Sequence, residues 1–138
     1  MFYLSVNYVA VLIAALASMV TGFVWYSPVL FGKPWMKYAK IDEKKLKKTK
    51  NSLPKTYGIS FLATLVTAYA LAVLLNATLV MDVGEGLMVS GVIWLGFVTT
   101  TMLTSVLFAE MPWGLFLINS GYQLASLLVM GAILTTLI

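Results

Sequence analysis

The residues best suited to bind a ligand are uncharged polar side chains on the last apolar stretch of the chain. Asn119, Gln123 and Ser126 follow the i, i+4, i+7 spacing, which on an α-helix places two amides and a hydroxyl on one face. Amides both donate and accept hydrogen bonds, so this face could line a polar path. It could equally hold helices together, through interhelical hydrogen bonds of about 1 kcal/mol or less each.

Hydroxyl groups on the other apolar stretches could extend this path. We include Thr100 and Thr104 of the third stretch among its candidate residues. Hydroxyls in membrane helices also bond back to the carbonyl four residues earlier, and that purely structural use stays open. The second stretch carries Ser60, Thr64 and Thr67, and the first carries Ser18 and Thr21.

Catalysis and metal binding are not expected. The chain has no Cys and no His, which removes thiolate nucleophiles, imidazole bases and the commonest metal and haem ligands. Asp82 and Glu85 could concentrate cations at an entrance, but two carboxylates are too few for a calcium site. Since no pair of nucleophile and base suggests itself, we expect neither an enzyme nor a cofactor.

The composition is that of an integral membrane protein. Hydrophobic residues make up 61% of the 138 residues and charged residues 10%, with a mean hydropathy of +0.95, whereas soluble domains contain about 25% charged residues. Roughly 20 apolar residues make one helical crossing of a bilayer. Four uncharged stretches of that length are present.

These stretches predict an all-α integral membrane four-helix bundle in a single domain, residues 1–138. A proline at position 28 is expected to close the first helix. The absence of charged residues inside the predicted spans weighs against a proton-coupled pump. The predicted helices cover about residues 5–27, 56–76, 87–108 and 113–137, with a basic loop at residues 33–55.

All nine lysines, and hence every basic residue, fall between Lys33 and Lys55. Basic residues in short loops beside membrane helices stay on the cytoplasmic side, so this loop is predicted to be cytoplasmic and both termini outside. Only Asp42 and Glu43 oppose the lysines, which leaves a local charge of +7. A short helix is expected to run from Asp42 toward Lys50.

The basic loop is also expected to contact anionic lipid headgroups, because each lysine near such a surface adds about 1 kcal/mol of attraction. A topology signal on a solvated surface is the simpler interpretation. Nucleic acid is not an expected partner, since the chain has no arginine and no recognisable binding module. The candidate lipid contacts are Lys37, Lys40, Lys44, Lys45, Lys47, Lys48 and Trp35.

A ridge of small residues runs along the first helix. Ala10, Ala14, Ser18 and Gly22 recur every four residues, a pattern that lets another helix approach closely. The partner could be a helix of the same chain or of a second subunit, and a homo-oligomer is plausible. Trp94 and Tyr122 lie well inside their stretches and are expected to pack within the bundle.

Three runs of sequence carry a resemblance to a known family. They are NYVAVL at 7–12, WYSP at 25–28 followed by LFGKPWM at 30–36, and FLINSGY at 116–122 leading to MGAIL at 130–134. Over nearly the whole chain these runs resemble the prokaryotic family called domain of unknown function seventeen sixty-one. The resemblance implies a small four-helix protein of the prokaryotic cytoplasmic membrane, and it supplies no activity or substrate.

The sequence leaves two hypotheses for function. The first is an oligomeric, channel-like or transport-related protein with an uncharged polar path, in which Asn119 and Gln123 are the central donors and acceptors. The alternative is a non-transporting scaffold or accessory subunit that binds lipid or a larger membrane complex.

Overall fold

The computed structural model describes residues 6–40 and 43–137, and gives their side chains except at residue 43 and residues 45–52. Within this part of the chain the regular structure is entirely helical, which confirms the all-α prediction. A π-helical segment joins two consecutive α-helical segments into one, so the described residues form five continuous helices. Their bounds are α1 Tyr8–Trp25, α2 Gly32–Tyr38, α3 Glu43–Ala77, α4 Val83–Ile93, the π-helical segment Trp94–Thr99, α5 Thr100–Ala109 and α6 Trp113–Thr136.

Four of the helices are long and apolar enough to cross a membrane. These spans are α1, Leu53–Ala77 of α3, Val83–Ala109 and α6. By length and composition they indicate a membrane protein, as the sequence predicts. We call Val83–Ala109 the third span.

The α6 helix lies at the centre of the bundle, with α1 and α4 packed on it and α3 packed mainly on α1. We call the end where α1 joins α2 the lysine end, and the end where α3 joins α4 the opposite end. Most core side chains lie toward the opposite end, where Ala14, Leu71 and Leu134 are 0%, 2% and 1% exposed. The described part of α3 nearer the lysine end is largely exposed.

The second long helix begins earlier than predicted. Instead of a loop over residues 33–55, the structure has α2 and then α3, which begins at Glu43, continues past Lys50 and contains Pro54. Lysine, glutamate and leucine are good helix formers, and in this stretch they outweigh the loss of one backbone hydrogen bond at the proline. Asp42 lies outside the described residues.

The third span begins with contacts related to a capping box, in which Glu85 bonds the residue before the N-cap Asp82. Asp82 Oδ1 accepts a hydrogen bond of 2.8 Å from the Glu85 backbone N–H, and Glu85 Oε2 accepts one of 2.8 Å from the Met81 backbone N–H. The helix therefore starts at Val83 rather than near residue 87. These contacts give both carboxylates a structural role.

The third span and α6 cross at glycine residues. A Cβ built on Gly131 would collide with Ser90 Oγ and lie 3.3 Å from the Gly86 carbonyl oxygen. A Cβ built on Gly86 would likewise collide with Thr135 Oγ1. Small residues at such a crossing let two helix backbones approach closely.

Candidate functional site

The turn between α1 and α2 folds back on itself. The Ser27 carbonyl accepts hydrogen bonds from the backbone N–H groups of Leu30 at 3.1 Å and Gly32 at 2.9 Å. Gly32 is buried, and a Cβ there would lie only 2.5 Å from the Tyr26 carbonyl oxygen. Glycine is therefore needed at this position for the turn to close.

This turn docks on α6 through two aromatic residues. Trp25 Nε1 donates a hydrogen bond of 3.0 Å to the Ile118 carbonyl, and Tyr26 OH donates one of 2.7 Å to Asn119 Oδ1. The Trp25 ring also passes 3.0 Å from the position of a Cβ on Gly121. Two of the sequence runs that carry the family resemblance, WYSP and FLINSGY, thus meet in one contact.

Three aromatic rings pack together beside this contact. The Tyr26 ring lies 5.4 Å from the ring of Tyr122, centroid to centroid, and 5.4 Å from that of Trp35. Trp35 is partly buried and its ring meets that of Tyr26 at 66°, and its contact with lipid stays a prediction. We call Tyr26, Trp35 and Tyr122 the aromatic cap.

Next to the aromatic cap, on the side away from the lysine end, α1, α3 and α6 border an open cavity of about 280 Å³. Its residues lie well inside the ends of their spans. We call this cavity the polar cleft. It is lined by Ser18, Met19, Ser60, Ala63, Thr64, Thr67, Tyr122, Gln123, Ser126 and Met130.

Hydroxyl groups form much of the cleft wall, and several are already hydrogen-bonded. Ser18 Oγ and Ser126 Oγ share a buried hydrogen bond of 2.5 Å. Thr64 Oγ1 donates to the Ser60 carbonyl at 2.7 Å, and Thr67 Oγ1 donates to the Ala63 carbonyl at 3.1 Å. Because their protons are used, the two threonines offer a ligand only acceptor lone pairs.

Gln123 is an exception in this wall. Its side chain is partly buried and lines the cleft, yet its amide makes no hydrogen bond to any described residue. Among the described residues only Thr99 Oγ1 is a fully buried side-chain polar atom without a partner, so the Gln123 amide stays accessible from the cleft. The donor and the acceptor of Gln123 are thus both available to a molecule in the cleft.

The structure separates the residues of the predicted polar path. Gln123 and Ser126 lie in the polar cleft, whereas Asn119 is not among its lining residues and bonds Tyr26 in the docking contact. Thr100 and Thr104 are exposed on α5 and donate to the carbonyls of Gly96 at 2.9 Å and Thr100 at 3.1 Å.

Hydroxyls of α3 take the place that the sequence analysis gave to Thr100 and Thr104. Ser60, Thr64 and Thr67 line the cleft opposite Gln123. Their i, i+4, i+7 spacing matches that of the stripe on α6, and the sequence offers them among the hydroxyls that could extend the path without favouring them over Thr100 and Thr104. No pattern in the sequence identifies Met19 or Ala63 as residues of the cleft.

The lysines predicted to contact lipid are described only in part. Lys37, Lys40 and Lys44 are exposed, while the side chains of Lys45, Lys47 and Lys48 lie outside the described part.

The small ridge of α1 packs within its own chain. Ala10, Ala14 and Ser18 are buried there, and a Cβ on Gly22 would lie 3.2 Å from Tyr122 OH.

The docking contact and the polar cleft both lie within the part of the chain that matches a known family. A family described as "Protein of unknown function (DUF1761)" matches residues 9–135. The chain belongs to this family. No curated protein and no solved structure matches the chain.

Proposed function

We propose that this chain is a membrane protein that binds an uncharged, hydrogen-bonding molecule in the polar cleft and supports its passage across the membrane. The observation that carries the proposal is the amide of Gln123, which makes no hydrogen bond to a described residue and faces a cavity of about 280 Å³ between three spans. A bound molecule with a donor and an acceptor would satisfy this amide.

The lining of the cleft favours an uncharged ligand. Hydroxyl, amide and thioether groups are present, and none of the described residues that line the cleft is charged. A charged ligand at this depth would need an opposite charge beside it, because an unpaired ion in the membrane interior is costly. A neutral molecule needs only hydrogen bonds.

The position of the cleft favours passage that is gated rather than open. Gln123 and Ser126 lie near the middle of α6, where a polar site lowers the barrier to a polar molecule. Tyr122 of the aromatic cap lines the cleft toward the lysine end, and Met130, 1% exposed, lines it toward the opposite end. A carrier that rearranges therefore fits better than a continuous pore.

Transport by reconstituted protein tests this proposal. Proteoliposomes are assayed for flux of glycerol and urea, and for flipping of a fluorescent diacylglycerol analogue. We expect one of these molecules to cross, and Gln123→Leu to slow it by about fivefold or more, since one hydrogen bond contributes about 1 kcal/mol.

Thr104→Val is the matched control, because it removes one hydroxyl from an exposed site on α5. This variant should transport at the wild-type rate. Absence of flux across the panel, or equal rates for Gln123→Leu and wild type, would contradict the proposal.

A second candidate function, a non-transporting scaffold, is favoured by the third span. Only 6% of its most apolar window is buried, against 39% for α6, and a Cβ on Gly91 or Gly96 would meet nothing within 4 Å. Small residues on an exposed face allow a second helix to approach. Single-cysteine cross-linking at Gly96, compared with Leu62 on α3, tests for a second copy there, and equal yields would contradict it.

A further inference from the structure

The polar cleft opens sideways, toward the position of the lipid. On its α3 side, Ser60, Ala63 and Thr67 are exposed. On its inner side, Ser18 and Ser126 are only 1% and 3% exposed. The opening therefore lies on the α3 side, well inside the ends of the spans.

An aromatic ring and a buried methionine lie at the two ends of the cleft. Toward the lysine end, the Tyr122 ring packs on Tyr26, which in turn packs on Trp35. Toward the opposite end, Met130 belongs to the same buried cluster as Leu71 and Leu127. A molecule dissolved in the bilayer can reach the exposed α3 side of the cleft directly, whereas movement along the bundle axis would have to displace these side chains.

From this geometry we infer that the ligand of the polar cleft is an uncharged lipid with a hydroxyl-bearing head, of the diacylglycerol type, that reaches the cleft from the bilayer past α3. The inference rests on the proposed function and names its substrate class. The head bonds the amide of Gln123 and the hydroxyls of α3. The acyl chains stay outside, along the exposed apolar side chains of α3.

Size and charge agree with this class. A volume of about 280 Å³ equals the liquid volume of roughly nine waters, which is more than a head the size of glycerol needs. Ile59, Leu62 and Val66 are 58%, 63% and 69% exposed beside the opening and offer apolar contact to the chains. A phospholipid would bring a phosphate into a site that holds no opposite charge.

Photo-cross-linking in lipid nanodiscs tests the inference. A diacylglycerol with a photoreactive group near the head of one acyl chain is added to protein in phosphatidylcholine nanodiscs, and its adducts are mapped by mass spectrometry. We expect adducts on residues 59–67 of α3 and 123–130 of α6, which excess unlabelled diacylglycerol suppresses and phosphatidylglycerol does not. Gln123→Leu should lower them about fivefold, and Thr104→Val should not change them.

Other outcomes overturn the inference. Adducts spread evenly over the third span and α3, and insensitive to Gln123→Leu, would show ordinary surrounding lipid. Equal competition by phosphatidylglycerol would exclude an uncharged class. If glycerol or urea crosses proteoliposomes in a Gln123-dependent way while no diacylglycerol adduct forms in the cleft, the proposed function stands and this inference fails.

Discussion

At the scale of single residues, the two amides of the polar stripe on α6 have different roles. Asn119 Oδ1 accepts a hydrogen bond of 2.7 Å from Tyr26 OH, so it holds the turn after α1 in place. Gln123, one helical turn further on, makes no such bond to a described residue and faces the cleft. The stripe thus combines a structural amide with one available to a ligand.

Tyr26 and Asn119 are expected to be energetically coupled. Tyr26→Phe and Asn119→Leu should each lower the free energy of unfolding by about 1 kcal/mol, and the double variant should lose less than the sum of the two. Unfolding in mixed detergent micelles measures the free energy of unfolding of the two single variants and of the double variant.

Tyr57→Phe is the control for this cycle, since Tyr57 is exposed, packs edge-on against Phe23 and makes no hydrogen bond to a described residue through its hydroxyl. Its stability should stay close to wild type. Strictly additive losses at Tyr26 and Asn119 would show that their hydrogen bond does not stabilise the docked turn.

The different roles of Asn119 and Gln123 could not be predicted from the sequence. Helical spacing places both on one face of α6, but what each side chain meets depends on α1 and on the turn after it. The Gly32 turn brings Tyr26 within reach of Asn119 and not of Gln123. Such a contact joins residues distant in sequence, where periodicity carries no information.

At the scale of elements, the crossing of the third span and α6 depends on Gly131. Gly131→Ala should destabilise the protein by about 1–3 kcal/mol, because the added methyl group overpacks the contact with Ser90 Oγ and the Gly86 carbonyl. Thermal unfolding in detergent, followed by circular dichroism, measures the loss.

Two further variants make this prediction specific. Gly91→Ala adds the same methyl group where nothing lies within 4 Å, and it should be neutral or slightly stabilising because alanine favours the helix. Adding Ser90→Ala to Gly131→Ala should recover part of the loss by removing the obstructing hydroxyl. If Gly131→Ala and Gly91→Ala behave alike, the close crossing is absent.

The four spans could be predicted from the sequence because each is a long, uncharged, apolar run. A helix of about 20 such residues is long enough to cross a bilayer. The start of α3 could not be predicted from the sequence, because Pro54 suggests that the helix begins there whereas the lysines before it favour an earlier start. The π-helical segment could not either. It begins at Trp94, whose Nε1 donates a hydrogen bond of 2.7 Å to the Ser120 carbonyl of α6, a tertiary contact.

At the scale of the whole molecule, the lysine bias predicts one orientation. All nine basic residues lie between Lys33 and Lys55, so the lysine end should face the cytoplasm. Because the chain has no cysteine, single cysteines introduced at Lys44 and Met81 can be labelled without interference.

A membrane-impermeant maleimide should label Met81→Cys in intact cells and Lys44→Cys only after permeabilisation. Both sites are exposed in the structure, so a difference in labelling reports the side of the membrane and not burial. The reverse pattern would invert the orientation.

The central claim for the whole molecule is that α1, α3 and α6 hold the amide of Gln123 ready for an uncharged ligand. Gln123 is the only glutamine in the chain, so protein labelled with ¹⁵N only at glutamine side chains gives a single NH₂ signal in detergent micelles or nanodiscs. We predict that diacylglycerol shifts this signal in a saturable way and that phosphatidylglycerol does not. An NH₂ signal that no uncharged hydrogen-bonding molecule moves, glycerol and urea included, would contradict the claim.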